Sequence, residues 1–464
     1  MASKQVTYIP FSELNALVVQ KLNDHSVYTI GPYCFLKIFE HALTYAALGN
    51  DKKLIRNPLG KPIWLQQMRY KLKYIKHGSP KHTVQLNNVV FLDPVRLTSV
   101  AQGSFQSIYM DKMVQLVPAE NRTIIQKRKE PQLQADCTLN DFPRVYSSMV
   151  HREVDMLRAI RQALANAKSC GRFSPMECAH IQSALFIFWE DFRFYYHMLN
   201  NQNVKRVVFI CHYHNEGMIA ACKMLNAETI ELQHGLIAAN DLYYVYHSQF
   251  SKVVDRSFFP DRIWVYGPYW KRVLAQGCEF RPEQVHVAGD YLTRKPTAQG
   301  KPVAKENMIL LCAQKLMHAE YLDYAERLSR FIQDYPDWRV VVKMHPLEPR
   351  KDLYQAVLKM GFELVDMQYT LDELLQRARI QISIYSTTFF DAVGFDVVNF
   401  SIQHFGNYQD YAADIVKEAV AFPLALDENP ITAYLRDGAA RYAMQREEIY
   451  APFQEEYLRA ALNA

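Results

Sequence analysis

Lys343, His345 and Pro346 close an apolar run, Val340–Val341–Val342, and Ser386, Thr387 and Thr388 close a second, Ile380–Gln381–Ile382–Ser383–Ile384–Tyr385. A cation, an imidazole, hydroxyls and a helix N-terminus at two strand ends are the equipment for holding a phosphate at the carboxyl edge of a parallel sheet. Pro346 ends its strand and sets the loop direction. His345 can donate a hydrogen bond to a phosphate oxygen, and Lys343 adds charge. Ser386, Thr387 and Thr388 precede an apolar helix starting Phe389–Phe390. Ser or Thr there also caps the helix, so capping and phosphate binding compete for the same backbone N–H groups. Asp391 falls in the first turns of that helix, within reach of a ribose hydroxyl.

A second set lies earlier in the chain. The run Glu231–Leu232–Gln233–His234–Gly235 reads as a strand end. Gly235 permits a tight backbone and close ligand approach. His234 is a base or a donor-binding group, and the plainer alternative is a packed loop histidine. The run His212–Tyr213–His214–Asn215–Glu216–Gly217 follows another strand. His212 and His214, two apart, would share a strand face and suit a metal, but no third ligand stands at diagnostic spacing, so no metal site is expected. Glu216 or His214 suits a general base deprotonating an acceptor hydroxyl. The plainer alternative for Glu216 is an acid favoured at a helix N-terminus.

These residues need strands to end beside one another. Strand-like runs occur at Asn88–Leu92, Thr123–Gln126, Val207–Cys211, Thr229–Leu232 and Ile263–Tyr266, with helical patterns at Met149–Ala167 and Met176–Asn200. More strand-like runs follow at Met308–Cys312, Arg339–Lys343, Glu363–Val365, Ile380–Ile384 and Val397–Phe400, alternating with helical Tyr321–Asp334 and Leu371–Arg379. Such alternation predicts α/β architecture with parallel sheets. The polar stretch Arg294–Pro302, with two prolines and a glycine, reads as a linker. The expected organisation is an N-terminal acceptor-binding domain 1–293, a linker 294–305, a C-terminal nucleotide-donor domain 306–438 and a C-terminal helix 439–464 packing back. Two Rossmann-like domains would face a central cleft, where ligands bind.

Composition narrows the class. The chain of 464 residues is 49% hydrophobic, 22% charged and 13% aromatic, as expected of a globular protein of two or three domains. A net charge of +5 is too mild for a dedicated nucleic-acid binder, so no nucleic-acid partner is expected. The eight cysteines are scattered without a Cys-X-X-Cys pair, which suits reduced thiols in a cytoplasm. No signal pattern and no transmembrane run is read. The segment Lys52–Lys81 holds nine Lys or Arg and no acid, with Ile63, Trp64, Met68, Leu72 and Ile75 on one helical face. It is either a core-facing surface helix or a peripheral contact with anionic membrane, which would put the protein at the inner face of the cytoplasmic membrane. Gly-X-Gly-X-X-Gly, P-loop and Gly-X-Ser-X-Gly motifs are absent, against dehydrogenase, ATPase and hydrolase readings. No Asp-X-Asp clamp for a metal-bound sugar diphosphate is present either.

Gln233–His234–Gly235, the run Phe259–Pro260–Asp261 leading to Val265–Tyr266–Gly267, His345–Pro346 and Ser386–Thr387 together resemble a GT-B glycosyltransferase of bacterial surface-polysaccharide (capsule or lipopolysaccharide) assembly. The resemblance is best from about Val207 to Phe400. The His-Pro and Ser/Thr pairs are similar to CMP-binding motifs of sialyl- and Kdo-type transferases, which implies that His345, Ser386 and Thr387 contact nucleotide and phosphate. The acid-acid-glycine motif that carries the base in those families is matched here by Asn215–Glu216–Gly217, with Asn in place of the first acid. The implied function is metal-independent transfer of a sugar, best a CMP-activated acidic sugar, from a nucleotide donor to a glycan or lipid-linked acceptor, without a cofactor. CDP-glycerol-type polyol-phosphate transfer shares the layout. A sugar-nucleotide epimerase and a non-catalytic capsule-assembly protein are the remaining alternatives.

Overall fold

The computed structural model describes residues 11–47, 84–95, 97–101, 104–127, 129–142, 149–238, 243–244, 258–277, 279–292, 304–314, 317–345, 348, 351–365, 369–403, 412, 415–418, 420–437 and 444–464. The basic segment 52–81, most of the linker and Pro346 lie outside these residues. The chain divides into two compact units. The first is Met1–His234, Asp241–Arg294 and Pro452–Ala464; the second is Gly235–Asn240 and Lys295–Ala451.

The first unit is built on a parallel seven-stranded sheet. In chain order its strands are β1 (Val89–Asp93), β2 (Arg122–Gln126), β3 (Cys137–Thr138), β4 (Arg206–Phe209), β5 (Glu228–Leu232), β6 (Arg262–Val265) and β7 (Val285–Val287), arranged β7-β6-β5-β4-β1-β2-β3. The second unit carries a parallel six-stranded sheet of β8 (Met308–Cys312), β9 (Arg339–Lys343), β10 (Glu363–Val365), β11 (Ile380–Ser383), β12 (Val398–Ile402) and β13 (Phe422–Leu424), arranged β10-β9-β8-β11-β12-β13. Each sheet therefore has Rossmann strand order: it grows one way from its first strand, then returns to pair that strand's other side. The reversals fall between β1 and β4 and between β8 and β11, and such switch points open a crevice at the strands' carboxyl ends.

The apolar runs form strands because both faces of a parallel sheet are covered. In β8, Ile309 and Leu311 pack with Tyr321, Tyr324 and Leu328. The alternate residues Met308, Leu310 and Cys312 pack into a separate core with Leu374 and Leu375. The long helices are α1 (Phe11–Lys21), α2 (Leu36–Ala47), α3 (His151–Ser169), α4 (Pro175–Leu199) and α5 (Glu216–Met224) in the first unit, and α6 (His318–Phe331) in the second. Helix α4 starts where Ser174 accepts from the Glu177 N–H and Glu177 accepts from the Ser174 N–H, with proline next in line. Among the described residues no helix is long and apolar enough to cross a membrane.

The single helix expected over 439–464 is instead two, Arg446–Ile449 and Glu455–Asn463. Pro452 stands between them, lacks an N–H and disfavours helical backbone before it. The second of these helices, with Leu458 and Leu462 fully buried, belongs to the first unit.

Candidate functional site

In the first unit the switch point gathers side chains from four strand ends. Strand β1 ends at Asp93, whose Oδ1 accepts from the Val95 N–H (2.8 Å) and the Ser107 hydroxyl (3.0 Å). Burial holds this carboxyl above its usual range against those two donors. Asp111 is pushed up to about 6, first by burial and further by the charge of Asp93, with a hydrogen bond from the Ser107 backbone opposing. Lys127, just past β2, donates to Asn215 Oδ1 (3.3 Å).

Two bulky residues take left-handed backbone at this point, Val95 (φ 61°) after β1 and Cys211 (φ 62°) after β4. Left-handed backbone is costly for residues with a Cβ, most of all a β-branched one, and clusters at functional sites. Asn215 fastens the turn after β4 by donating from Nδ2 to the carbonyls of Ile210 (3.0 Å) and Cys211 (2.7 Å).

His212–His214 form a single 3-10 turn, so the two histidines do not share a strand face. His212 is wholly buried, with Nδ1 2.6 Å from Glu231 Oε2 and Nε2 2.9 Å from Glu279 Oε1. Both ring nitrogens are thus committed to carboxylates, which leaves neither for a metal. Burial penalises the imidazolium, yet the charges and hydrogen bonds of Glu231 and Glu279 outweigh it and push His212 up to about 9. Glu231 is held below its ordinary range: burial opposes ionisation, and the His212 charge with hydrogen bonds from His212 and Tyr244 prevails. Behind Glu279 stands Lys37 of α2, 3.3 Å away. Among the described residues no group of three or more His, Cys, Asp or Glu is arranged to hold a metal ion.

Glu216 is the first residue of α5 and pairs with His41 Nδ1 of α2 at 3.0 Å. Gly217 lets this happen. A Cβ there would lie 2.6 Å from Phe188 O and from Phe192 N, so only glycine lets α5 sit against α4. The side chain of His214 lies outside the described atoms. His234 is half-buried, with Nε2 3.1 Å from the Tyr213 hydroxyl and 3.2 Å from Cys211 Sγ, and Nδ1 3.4 Å from the Tyr244 hydroxyl. Gln233 braces the neighbouring strand ends. Its Oε1 accepts from the Tyr266 N–H (3.0 Å) and its carbonyl accepts from the Tyr291 hydroxyl (2.6 Å). Asp261 likewise fastens the start of β5 through the Thr229 N–H and hydroxyl.

The second unit holds the other predicted set. Lys343 ends β9 and its Nζ donates to the Tyr369 carbonyl (2.9 Å). His345 lies two residues on, half-buried, and its carbonyl accepts from the Glu348 N–H (3.0 Å). Past β11, Ser386 Oγ accepts from the Thr388 N–H (3.3 Å), and Thr388 Oγ1 accepts from Gln381 Nε2 (2.6 Å). The helix that follows, Thr388–Ala392, has only five residues and begins one residue before the expected Phe389, with Thr387 at its N-cap making no side-chain capping bond. Asp391 Oδ1 accepts from the Tyr450 hydroxyl (2.7 Å). Gln314, two residues past β8, braces the switch point: its Oε1 accepts from the Tyr385 N–H and from the Tyr321 hydroxyl, both at 3.0 Å.

In the first unit His234 thus lies just past β5 and Glu216 opens α5, and in the second Lys343, His345, Ser386, Thr387 and Thr388 lie at or just past strand ends. The boundary between units falls inside Gln233–His234–Gly235, with Gly235 in the second. Gly235 is not left-handed, and a Cβ there would meet no atom within 4 Å. Sequence reasoning missed Asp93, Asp111, Lys127, His41, Lys37 and Glu279. The acid ending β1 and the cation just past β2 were visible as strand-end residues; the others had no signal.

No family model and no curated protein matches the chain. Solved structures similar to it include the UDP-GlcNAc 2-epimerase of Methanocaldococcus jannaschii, at 9% identity and a TM-score of 0.47 over 82% of this chain and 100% of that one. The S. aureus MnaA–UDP co-structure is similar at 12% and 0.46, over 82% and 95%. Spinosyn rhamnosyltransferase SpnG complexed with thymidine diphosphate is similar at 11% and 0.47, over 81% and 100%. At such identities the likeness assigns no activity, and the two Rossmann-like sheets rest on the strand orders themselves.

Proposed function

We propose that the chain is a metal-independent glycosyltransferase of GT-B type, moving a sugar from a nucleotide donor to a glycan or lipid-linked acceptor in surface-polysaccharide synthesis. The observation that carries this reading is the strand order of the second unit. Its reversal between β8 and β11 sets Ser386, Thr387 and Thr388 beside the end of the first strand, with Lys343 and His345 ending the strand on its other side. Hydroxyls, backbone N–H groups and a lysine there suit a nucleotide phosphate, and the positive groups would stabilise the leaving nucleotide. Glu216, paired with His41, or failing it a nearby histidine, is the proposed base for the attacking hydroxyl. The first unit would receive the acceptor, and the best donor remains a CMP-activated acidic sugar.

Calorimetric titration of CMP, CDP, UDP and GDP with EDTA present tests this. Selective CMP binding lost in His345→Ala supports the donor assignment. A preference for CDP moves the reading to polyol-phosphate transfer, and UDP or GDP to an ordinary sugar donor. No binding of any of them refutes the nucleotide site.

A sugar-nucleotide epimerase is the second reading, favoured by the acid pair Asp93 and Asp111 at the first unit's switch point. Epimerisation requires a proton to leave and return to carbon. Incubating a nucleotide sugar in deuterated water without acceptor separates the two: carbon-bound deuterium marks an epimerase, and a transferase leaves the sugar unlabelled.

A further inference from the structure

Beyond the groups already assigned, the first unit holds a line of buried charge. Lys37, Glu279, His212 and Glu231 are each at most 2% exposed. Lys37 Nζ lies 3.3 Å from Glu279 Oε1, which lies 2.9 Å from His212 Nε2. His212 Nδ1 lies 2.6 Å from Glu231 Oε2, and Glu231 Oε1 accepts from the Tyr244 hydroxyl at 2.8 Å. Tyr244 oxygen then faces His234 Nδ1 at 3.4 Å. Burying so many charges in a line is costly and adds little stability over apolar packing, which points to a role beyond folding.

Each group along this line has a fixed set of donors and acceptors. An ionised Glu231 can only accept, so the Tyr244 proton points at it. Tyr244 oxygen then has only lone pairs for His234, and Nδ1 must carry the ring proton. In a neutral His234 this leaves Nε2 unprotonated, with the Tyr213 hydroxyl and the Cys211 thiol hydrogen-bonded to it. His212 secures the start of this sequence, because its charge between Glu231 and Glu279 keeps Glu231 ionised.

We propose that His212 is a positioning residue that, through Glu231 and Tyr244, fixes His234 as the Nδ1–H tautomer and presents Nε2 as a proton acceptor. On the transferase reading, on which this role rests, an acceptor O–H breaks, its proton bonds to Nε2, the oxygen electron pair bonds to the sugar carbon, and the bond from that carbon to the nucleotide phosphate oxygen breaks, its electron pair leaving on the phosphate. The imidazolium so formed keeps its Nδ1–H towards Tyr244 and the Glu231 charge. His234 is faced by Cys211 and Tyr213 from the turn after β4, by Tyr244, and by Tyr109, whose hydroxyl donates to its carbonyl. His212 is faced by Glu231 and Glu279 and by the rings of Tyr213, Tyr244, Phe259 and Phe280, with Glu40 4.0 Å from Lys37 behind them.

The full chain labelled with imidazole-¹⁵N histidine tests this by long-range ¹H–¹⁵N correlation near pH 7, with signals assigned by loss in His212→Gln and His234→Gln. The expected spectrum has His212 protonated on both nitrogens and His234 protonated on Nδ1 alone. In Tyr244→Phe, His212 should remain an imidazolium while His234 loses its single tautomer. An unchanged His234 tautomer in Tyr244→Phe, or a neutral His212 in the parent, overturns the proposal. In folded His212→Gln, a lowered melting temperature with the His234 tautomer intact would mark a purely structural role and also overturn it. Should His212→Gln fail to fold, Tyr244→Phe decides alone. These spectra need no nucleotide or acceptor, so failure of the transferase reading leaves them readable.

Discussion

At the scale of single residues, His212 ties stability to pH. Its imidazole titrates near 6.5 when unfolded and at about 9 when buried between Glu231 and Glu279. A histidine raised on folding contributes stability that is complete below about 6.5 and lost as pH rises through about 9. At 1.36 kcal/mol per unit, the whole contribution is about 3 kcal/mol. Urea denaturation from pH 6 to 9.5 should show stability falling along that window. In His212→Gln the fall should vanish, with lower stability at pH 6 because Glu231 and Glu279 lose the charge between them. A variant with the parent's slope would place the titration elsewhere. The same histidine shows what a linear reading conceals. His212 is visible in the sequence as a residue after a strand, where its spacing from His214 suits a metal but no third ligand stands at diagnostic spacing. Lys37 and Glu279 lie far from it in sequence and meet it only because α2 and the segment after β6 converge on the end of β4. Glu216 could be named a base from its place at a helix start, but its partner His41 could not.

At the scale of elements, the strands were largely readable because a parallel sheet covered on both faces demands unbroken apolar runs. Met308–Cys312, Arg339–Lys343 and Glu363–Val365 form as expected. The last helix departs from expectation because apolar spacing runs on across Pro452, which breaks it. The two candidate-motif glycines differ in a way that sequence cannot separate. A methyl group at Gly217 would press on the backbone of α4 at Phe188 and Phe192, which no rotamer change relieves. Gly217→Ala should therefore cost about 1–3 kcal/mol or more, and push α5 and Glu216 away from His41. Gly235→Ala meets no atom and no left-handed backbone, so its stability should change by less than about 0.5 kcal/mol. Thermal melts of the two variants check this. Equal melting temperatures would contradict the packing assigned to Gly217.

At the scale of the whole molecule, the chain leaves the first unit, builds the second, and returns to finish the first. Residues 452–464 belong to the first unit although they follow the second in sequence. Gln454 N–H donates to Ala288 O (3.0 Å), Arg206 Nη1 to Leu462 O (3.3 Å) and Asn463 Nδ2 to Leu116 O (3.0 Å). Leu458 and Leu462 are fully buried. Gly289, at φ 82°, accepts the Pro452 backbone so closely that a Cβ would stand 2.2 Å from its carbonyl oxygen. Burying two leucines contributes about 3–6 kcal/mol before any hydrogen bond is counted. Because these contacts span most of the sequence, the first unit cannot reach full stability until the last residues are in place. Removing 452–464 should lower the melting of the first unit by that order while leaving the second unit's transition, and nucleotide affinity if the donor site lies there, unchanged. Tryptophan fluorescence follows the first unit mainly, through Trp189, Trp264 and Trp270, against Trp338 in the second. Calorimetry then counts the transitions. If both units lost stability equally, the returning helix would be a brace for the entire chain and not a part of the first unit alone.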